Sequence, residues 1–429
     1  MRVSDRAARF GILLVVVAAL VVGFLLPARP EEVVDPLTIP GDPPYVACAA
    51  ALAGSGFAST VGVVTDSSTI GAVSGVGVDV PPEEFQLEGD DNFVFEVGSL
   101  AELGVTPILV ERLTGGQLGA GVLGLAGTQA TMAGCQPATS APVALLGMAT
   151  SEGEQSTIVL ANPFAVEATA RLVGASEFGP DTVTELETVR VPANSTLTLP
   201  LSQSMAGRQQ LGFTVYTDVG AVVAGMARSG PDIASSEAII GAQQWFVPLP
   251  AFGVSGHLIV HNLAAVDANY RLDAVNPDGV TEEVENGALV PDAEIWLSLE
   301  DLGASGGYVV TADEPVAVAV VYTGEVTRVV ATASPVSTVA WLVPISSDAA
   351  GIDTAVWILN PDEAAITAEI AVFGGRSVEV SLPAGTTTGR IVPFRGRGGM
   401  VTATGPVAVF YGAISDGGAA SMTLAFPLE

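Results

Sequence analysis

The segment Ser156-Thr-Ile-Val-Leu-Ala-Asn162-Pro163 decides the fold of this chain, because two variants of it follow at a regular interval. They are His257-Leu-Ile-Val-His-Asn262-Leu263 and Thr354-Ala-Val-Trp-Ile-Leu-Asn360-Pro361. Their asparagines, at 162, 262 and 360, are 100 and 98 residues apart. A repeat of about 100 residues is the length of one β-sandwich domain. The sequence therefore predicts consecutive sandwiches of similar build.

Further landmarks keep the same order in all three units. A Pro-containing phrase follows each asparagine segment, and a Gly-led run of β-branched residues comes after it. The Gly-led runs begin at residues 212, 307 and 399 and are interrupted by Gly or Pro at 220, 315 and 406. We interpret each interruption as the tight turn of a β-hairpin. The segments Trp245-Phe-Val-Pro248 and Trp341-Leu-Val-Pro344 are predicted to close the first two units.

Short alternating runs of valine, threonine and isoleucine fill these units, with Gly and Pro between them. A period of two is typical of half-buried strands, and no convincing amphipathic helix follows residue 30. The predicted fold class is all-β, with tandem immunoglobulin-like β-sandwich domains in a row after an N-terminal transmembrane or signal helix. The predicted segments are a cytoplasmic tail (1–9), a transmembrane anchor or signal sequence (10–26), a Pro-rich acidic linker (27–44), a divergent β-sandwich with a disulfide (45–147), and sandwich repeats at 148–249, 250–344 and 345–429.

The two cysteines of the chain, Cys48 and Cys135, flank the divergent unit. They lack the Cys-x-x-Cys spacing of a redox pair, and two thiolates alone do not make a zinc site. We therefore predict a structural disulfide that joins the first and last strands of this unit. On the loop-entropy estimate it stabilises the unit by about 3–5 kcal/mol. A stable disulfide requires an oxidising, extracytoplasmic location.

The N-terminus also indicates export. Three arginines, Arg2, Arg6 and Arg9, precede an unbroken apolar run at 10–26. This run is at the short end for crossing a bilayer core of about 30 Å, yet the small-x-small cleavage site of a signal peptide does not follow it. We favour an uncleaved anchor and keep a cleaved signal peptide as the alternative. In both cases the arginine bias places the N-terminus in the cytoplasm and the remainder of the chain outside.

The net charge of −31 narrows the choice of partners. All 15 basic residues are arginine, against 46 acidic residues. Such acidity argues against nucleic acid and anionic lipid surfaces as partners. Solubility of an exported protein, adaptation to salt, and divalent-cation binding are rival explanations. The oxygen-rich segments Glu88-Gly-Asp-Asp-Asn92 and Asn276-Pro-Asp-Gly279 do not match the twelve-residue calcium loop.

Motifs for catalysis or cofactor binding are weak or missing in the sequence. Ser305 lies in a Gly-x-Ser-x-Gly match, but the nucleophile elbow needs a strand before it and a helix after it, and this match lies in a predicted loop. His257 and His261 are predicted to lie on a strand, about 13 Å apart and too far for one metal ion. We predict no catalytic residue, no metal and no cofactor. The abundant acidic residues offer many pairs of carboxylates for glycosidase chemistry, and the sequence singles out none of them.

The repeated asparagines and the tryptophans each have a structural and a functional interpretation. For Asn162, Asn262 and Asn360 we favour a turn device, in which the side chain bonds the backbone after a strand. Trp245 and Trp341 are predicted to pack at the junctions between sandwiches. The remaining tryptophans, Trp296 and Trp357, lie within predicted strands, and an exposed aromatic on a strand suits glycan binding. We therefore name these two as the candidate ligand-binding residues.

These features resemble those of an actinobacterial family of secreted or membrane-anchored proteins of unknown function. The resemblance rests on the Arg-led apolar start, the Cys-flanked first unit, and units of the form Leu-Ala-Asn-Pro, Val-Pro-Ala and Gly-Phe-x-Val. It covers nearly the whole chain and implies tandem β-sandwich repeats. The chain departs from the family after Cys135, where Pro142-Val-Ala-Leu-Leu-Gly147 replaces a Trp-rich strand. The family implies no catalytic residues.

The leading functional hypothesis is a non-enzymatic, extracytoplasmic cell-envelope protein that acts as a scaffold, spacer or binding module. Tandem sandwiches without a set of catalytic groups favour it. The alternative is a hydrolase that acts on cell-wall glycan through a carboxylate site between domains. The expected partners are the membrane, through residues 10–26, and an envelope protein or a glycan.

Overall fold

The structure is a computed structural model of the 429-residue chain. It describes residues 45–49, 52–53, 58–79, 81–89, 91–97, 104–105, 107–127, 129–230, 233–249, 255–276, 281–303, 305–323, 328–349, 351–415 and 421–428. Nearly all of these residues lie in or between antiparallel β-strands, which confirms the all-β prediction. Within these ranges, no helix is long and apolar enough to span a membrane. The predicted anchor at 10–26 and linker at 27–44 lie outside the described residues.

The strands fall into four sandwiches. The first contains β1 (Tyr45–Cys48), β2 (Leu52–Ala53), β3 (Ala58–Thr65), β4 (Thr69–Gly75), β5 (Glu83–Leu87), β6 (Asn92–Glu96), β7 (Gly104–Val105), β8 (Ile108–Thr114), β9 (Leu118–Ala126) and β10 (Gln129–Gly134). The second contains β11 (Val143–Met148), β12 (Gln155–Asn162), β13 (Ala168–Ser176), β14 (Gly179–Asp181), β15 (Val189–Val191), β16 (Ser195–Pro200), β17 (Leu211–Val219), β18 (Val223–Ser229), β19 (Ala234–Glu237) and β20 (Ile239–Ile240), with a 3₁₀ turn at Thr184–Leu186.

The third and fourth sandwiches complete the chain. The third contains β21 (Ala242–Pro248), β22 (Gly256–Asn262), β23 (Ala268–Val275), β24 (Thr281–Leu289), β25 (Glu294–Ser298), the short helix α1 (Leu299–Leu302), β26 (Gly307–Thr323) and β27 (Arg328–Thr332). The fourth contains β28 (Thr338–Val343), β29 (Ile352–Asn360), β30 (Ile366–Val372), β31 (Ser377–Leu382), β32 (Thr386–Ile391), β33 (Gly399–Ser415), β34 (Thr423–Leu424) and β35 (Phe426–Pro427).

One strand order recurs in all four sandwiches, including the divergent first one. The second sandwich has sheets β14-β13-β17-β11-β20 and β16-β12-β18-β19. The first has the corresponding sheets β5-β4-β8-β1 and β6-β3-β9-β10, whose apolar side chains share one core. The first strand of each unit therefore pairs with a late strand rather than with the second. This order differs from the immunoglobulin order, in which the first and second strands are neighbours.

The Gly-led runs are not hairpins, so that prediction is wrong. β26 and β33 each continue through the proline without a turn. The first half of β26 pairs with β21 and β23, and its second half pairs with β22 and β27. One strand therefore crosses from one sheet of the sandwich to the other. Proline suits the crossing point because its missing N–H falls where the ladder changes partner.

The tryptophan segments begin sandwiches instead of closing them. β21, which carries Trp245, pairs with β26 of the third sandwich, and β28, which carries Trp341, pairs with β33 of the fourth. The sequence placed the starts of these units later, at 250 and 345. Both indoles are buried, and each donates to a carbonyl in the crossing strand, at 2.9 Å to Val316 and 3.0 Å to Val407. Each tryptophan thus holds the bend of its own sandwich.

The four sandwiches close on one another, so the predicted row is wrong. The last strands β10, β19, β27 and β34 contact each other in cyclic order, and β34 contacts β10 again. The fourth sandwich therefore packs directly on the first. Gly62 of β3 lies so close to Pro344 and Ile345 that an added Cβ would lie 2.5 Å from the Cβ of Ile345. Leu123 and Met132 share a buried cluster with the core of the fourth sandwich.

Candidate functional site

A cleft of about 340 Å³ opens at the junction of the second and third sandwiches. We call it the Trp296 cleft, and its lining residues are Ser151, Glu154, Gln209, Gln210, His257, Trp296, Val321 and Thr323. The second sandwich supplies the first four, from loops before β12 and β17, and the third supplies the others, from β22, β25 and the end of β26. The wall is therefore built from side chains that are remote in sequence and mostly polar.

Trp296 is the aromatic wall of this cleft and is half-buried. Its indole Nε1 donates to Glu294 Oε1 at 2.9 Å. The ring of His257 meets the indole edge-on, with 5.7 Å between the ring centroids. β22 and β25 place the two rings together because Ile259 and Trp296 are register partners, with His257 two residues before Ile259. The indole is thus fixed in orientation while part of it stays accessible.

A buried polar chain continues from Trp296 to the second sandwich. Glu294 Oε2 lies 3.6 Å from His261 Nδ1, and His261 Nε2 lies 2.7 Å from Thr214 Oγ1. With the ring proton on Nδ1, facing the carboxylate, Nε2 accepts a hydrogen bond from the Thr214 hydroxyl. All three side chains are buried: Thr214 and His261 are 0% exposed, and the side chain of Glu294 is 1% exposed. The Thr214–His261 hydrogen bond therefore joins the two sandwiches below the cleft, while Glu294 Oε2 and His261 Nδ1 face each other without a hydrogen bond.

The order hydroxyl, imidazole, carboxylate is that of a hydrolase triad, but the hydroxyl is in the wrong place for catalysis. A nucleophile must reach a substrate carbonyl, and Thr214 is 0% exposed beneath the cleft. Gly212 shows how tightly this region is packed, because an added Cβ there would overlap Glu294 Oε2. We therefore assign these groups to positioning Trp296 and joining the sandwiches.

A second polar link crosses the same junction. The hydroxyl of Tyr216, on β17, donates to Asp292 Oδ1 at 2.7 Å. The guanidinium of Arg171 lies 4.1 Å from the centre of the Tyr216 ring. Burial and the Asp292 carboxylate raise the pKa of Tyr216 well above its ordinary value, so its proton stays in place. This link holds the two sandwiches in register beside the cleft.

The structure separates the two candidate tryptophans. Trp296 lines the cleft, whereas Trp357 is 3% exposed and packs in the core, against the backbone at Gly389. Trp357 is therefore not accessible to a ligand at the surface in this structure. Cys48 and Cys135 form the predicted disulfide. Ser305 lies in a loop, where its hydroxyl donates to Gly307 O at 2.9 Å.

The repeated asparagines are turn devices, as predicted. All three are 0% exposed. Asn162 donates from Nδ2 to Val166 O at 2.7 Å and accepts at Oδ1 from the Phe164 N–H at 3.0 Å. The corresponding bonds recur at the other two asparagines. No repeated polar groove is built from them.

The sequence patterns did not indicate several residues that line the cleft. Gln209 and Gln210 form a pair that does not recur before the other Gly-led runs, and this lack of repetition was the available signal. Glu177 holds their loop, since its two carboxylate oxygens accept the Gln209 and Gln210 N–H groups at 3.2 and 3.3 Å. Across the part of the chain that the structure describes, no group of three or more His, Cys, Asp or Glu residues is arranged to hold a metal ion.

No protein-family model matches this chain, and no curated protein matches it. Among solved structures, it is similar to a Streptomyces avermitilis α-L-rhamnosidase complexed with L-rhamnose, at 11% identity and a TM-score of 0.16, over 87% of this chain and 43% of that one. The chain thus spans less than half the length of that enzyme. It is also similar to an anti-sigma factor domain-containing protein from Clostridium clariflavum, at 9% identity and a TM-score of 0.10, over 84% of this chain and 99% of that one. Likenesses this distant carry no argument about function.

Proposed function

We propose that this chain is an extracytoplasmic cell-envelope protein that binds glycan, without hydrolysing it, in the Trp296 cleft. The observation that carries this proposal is the half-buried indole of Trp296, held by Glu294 beside polar side chains of two sandwiches. An immobilised aromatic face next to hydrogen-bonding groups suits a sugar, which has an apolar face and a rim of hydroxyls.

The chemistry of the lining supports a glycan over an apolar ligand. Gln209 and Gln210 each offer one acceptor and two donor positions, which match vicinal hydroxyls. Glu154 adds an acceptor and accepts a hydrogen bond from Ser151. A volume of about 340 Å³ is at the small end of ligand clefts, which run from about 300 to 1,000 Å³. We therefore expect one or two sugar rings, neutral or positively charged.

The rigidity of the junction supports a binding role. The Thr214–His261 hydrogen bond joins the two walls below Trp296, and the Tyr216–Asp292 hydrogen bond joins them beside the cleft. Because both walls are fixed before the ligand arrives, little side-chain entropy is lost on binding. A scaffold protein that presents such a cleft outside the membrane would bind weakly at one site and gain strength from many copies.

The proposed location rests on the disulfide and on the N-terminal sequence. Cys48 and Cys135 are both 0% exposed and bonded to each other, which suits an oxidising compartment. Anchoring by residues 10–26 remains part of the proposal. Fractionation of expressing cells tests it, because we expect the chain in the membrane pellet and its release on removal of residues 1–26.

The test of glycan binding compares two aromatic substitutions. Full-length protein, Trp296→Ala and Phe178→Ala are titrated with soluble cell-wall glycan fragments, with indole fluorescence and calorimetry as readouts. Phe178 is 76% exposed and does not line the cleft, so it controls for general loss of aromatic surface. We expect about a tenfold or greater loss of affinity for Trp296→Ala alone. Equal affinity of Trp296→Ala and parent overturns the proposal.

A hydrolase remains the second candidate because Glu154 lines a cleft between two sandwiches. Most glycosidases use two carboxylates flanking the scissile bond. Among the described lining residues, Glu154 is the one carboxylate, and this supports binding over hydrolysis. The measurement is release of reducing sugar from cell-wall glycan by parent and by Glu154→Gln. Release that is lost in this variant would establish the second candidate.

A further inference from the structure

The fourth sandwich carries a second and larger cleft, of about 690 Å³, between the β30–β31 turn and the segment before β33. We call it the arginine cleft because three exposed arginines, Arg376, Arg395 and Arg397, line it. The other lining residues are Val372, Gly374, Gly375, Ser377, Val378, Pro393 and Phe394. Its wall is therefore cationic with apolar and glycine-rich parts.

Three arginines together are unexpected in a chain with 46 acidic residues and 15 basic ones. Two other described arginines pair with carboxylates: Arg271 with Asp273 at 2.6 Å, and Arg208 with Asp181 at 3.4 Å. Within the described ranges, no carboxylate oxygen lies within 4.0 Å of the arginine-cleft guanidinium groups. Asp348 borders the segment beside Gly396 without an ion pair to these arginines. Within the part of the chain that the structure describes, these three guanidinium groups therefore have no ion-pair partner.

Backbone carbonyls hold one of the arginines, and another has an unusual main-chain conformation. Arg397 Nη1 donates to Phe373 O at 3.1 Å and to Gly374 O at 2.6 Å, which fixes the guanidinium over the β30–β31 turn. Arg395 has a φ of 55°, in the left-handed region that favours glycine. The other described non-glycine residues with positive φ are Asn194 and Asp292, types that tolerate this conformation. Backbone strain of this kind is often found at functional sites.

The arginine cleft occupies the position in the fourth sandwich that corresponds to the Gln209 loop in the second. Both loops lead directly into the Gly-led strand, at Gly212 and at Gly399. In the second sandwich, Glu177 accepts hydrogen bonds from the loop N–H groups. In the fourth, Arg397 donates to turn carbonyls instead. The same loop position thus carries different chemistry in two units, as expected where sites are added to a repeated scaffold.

We propose that the arginine cleft binds the phosphate group of an organic phosphate. Planar guanidinium groups donate paired hydrogen bonds that match phosphate oxygens. Three guanidinium groups carry more positive charge than a single carboxylate would neutralise. They suit the oxygen atoms and negative charge of a phosphate ester or diester. The volume is in the range of organic ligands rather than a bare ion. Pro393 and Val372 offer apolar contact for the organic part. This site is independent of the Trp296 cleft.

The experiment measures binding of glycerol 3-phosphate to the full-length protein by calorimetry, with glycerol as the ligand that lacks phosphate. The test variant is Arg376→Gln with Arg395→Gly, and the control is Arg190→Gln, an exposed arginine of the second sandwich. Arg395→Gly removes the charge and places a glycine at a positive φ, which glycine adopts without steric strain. We expect a loss of about tenfold in affinity for each guanidinium removed and no change for the control.

A second arm identifies the source of the phosphate. Vesicles of phosphatidylglycerol are compared with vesicles of phosphatidylcholine, so that insertion of the N-terminal segment is common to both. A preference for phosphatidylglycerol that the double variant loses, without binding of glycerol 3-phosphate, assigns the site to a lipid headgroup. Binding of glycerol 3-phosphate that the double variant loses assigns it to a soluble or polymeric phosphate. The proposal is overturned if neither probe binds, or if Arg190→Gln weakens binding as much as the double variant.

Discussion

Glu237 of the second sandwich accepts a hydrogen bond from the backbone N–H of Gly134 in the first, with 3.0 Å between Gly134 N and Glu237 Oε2. The Thr423 hydroxyl of the fourth sandwich donates to the same carboxylate at 3.1 Å. The side chain of Thr332, in the third, also forms a hydrogen bond to it. All four sandwiches therefore meet at one buried carboxyl group. Its state should govern how firmly the ring of sandwiches is closed.

The first prediction concerns pH. Burial raises the pKa of Glu237 above its ordinary value of 4.5, although its hydrogen bonds act in the opposite direction. A carboxyl group whose pKa is higher in the folded state binds more protons there, so its contribution to stability falls as pH rises from about 4.5 through the folded pKa. Glu237→Gln, which is neutral, should remove this fall. Denaturant unfolding of parent and variant between pH 4 and 8 should give curves that diverge as pH rises, with the parent losing stability relative to the variant.

Glu237→Ala is the companion variant. It leaves the Gly134 N–H and the Thr423 hydroxyl without their acceptor and opens a cavity, so we expect a loss of about 2–4 kcal/mol at every pH. Parallel curves for parent and Glu237→Gln across the whole range would show that the carboxyl group is ionised equally in both states. That result would contradict the predicted pKa shift.

The second prediction tests contact between the first and fourth sandwiches. Gly62→Ala places a methyl group against the Pro344 carbonyl and 2.5 Å from the Cβ of Ile345, so it should lower the free energy of unfolding by about 3 kcal/mol. Gly134→Ala is the matched control in the same sheet, because its methyl group would meet nothing closer than 3.7 Å. We expect the control to lie within about 1 kcal/mol of the parent. Both variants are measured by thermal and denaturant unfolding. If Gly62→Ala destabilises the protein no more than Gly134→Ala does, the result argues against contact between the first and fourth sandwiches.

The parts of the fold that the sequence predicted are those encoded locally. Alternation and the recurring Asn162 segment indicate strands, turns and the unit length, because each depends on residues close together in the chain. The disulfide followed from having two cysteines and no other chemistry for them. The sheet crossing at Pro315 was missed because a proline or glycine between two β runs is compatible with a hairpin turn and with a change of sheet.

Ring closure and the candidate site depend on contacts that no local pattern contains. Gly62 in the first sandwich lies against Pro344 in the fourth, far away in the sequence. The sequence signal for this contact is a glycine within a predicted strand. The Trp296 cleft combines Gln209 from one unit with His257 from the next. Trp296 and Trp357 both lie on predicted strands, but the face of each strand that is covered depends on how neighbouring sandwiches pack. Both tryptophans were named as candidate ligand-binding residues: the structure places Trp296 in a cleft, where ligand binding stays a prediction, and buries Trp357 in the core.

The third prediction concerns the repeated turn at Asn360. Its Nδ2 donates to Ala364 O at 2.8 Å, Leu382 O at 3.2 Å and Pro383 O at 3.1 Å. Asn360→Ala should lower the free energy of unfolding by about 2–4 kcal/mol, because these buried carbonyls lose their donor. Asn360→Asp should cost at least as much, since a carboxylate would face carbonyl oxygens.

The matched control for Asn360 is Asn286→Ala. Asn286 is exposed and donates to Glu283 Oε1 at 2.6 Å, so its loss should change stability by less than about 0.5 kcal/mol. Both are measured by denaturant unfolding at neutral pH. If Asn360→Asp is as stable as the parent, the Nδ2 group is not what satisfies the turn carbonyls.

The last prediction concerns the Cys48–Cys135 disulfide, which joins the end of β1 to the residue after β10, across a sequence separation of 87. Replacing both cysteines by alanine should lower the free energy of unfolding of the first sandwich by about 3–5 kcal/mol, because the unfolded chain regains its loop entropy. β10 ends at Gly134, the residue that donates to Glu237, so the loss should also reach the centre of the ring. We expect faster hydrogen exchange at β10 and β19 in this variant, with β30 and β31 of the fourth sandwich as the internal control. Intact mass under non-reducing conditions checks the premise, since alkylation of two thiols in the native parent would show that the bond does not form. Uniform acceleration in all four sandwiches would instead mean that the disulfide supports global stability without a special role at the centre.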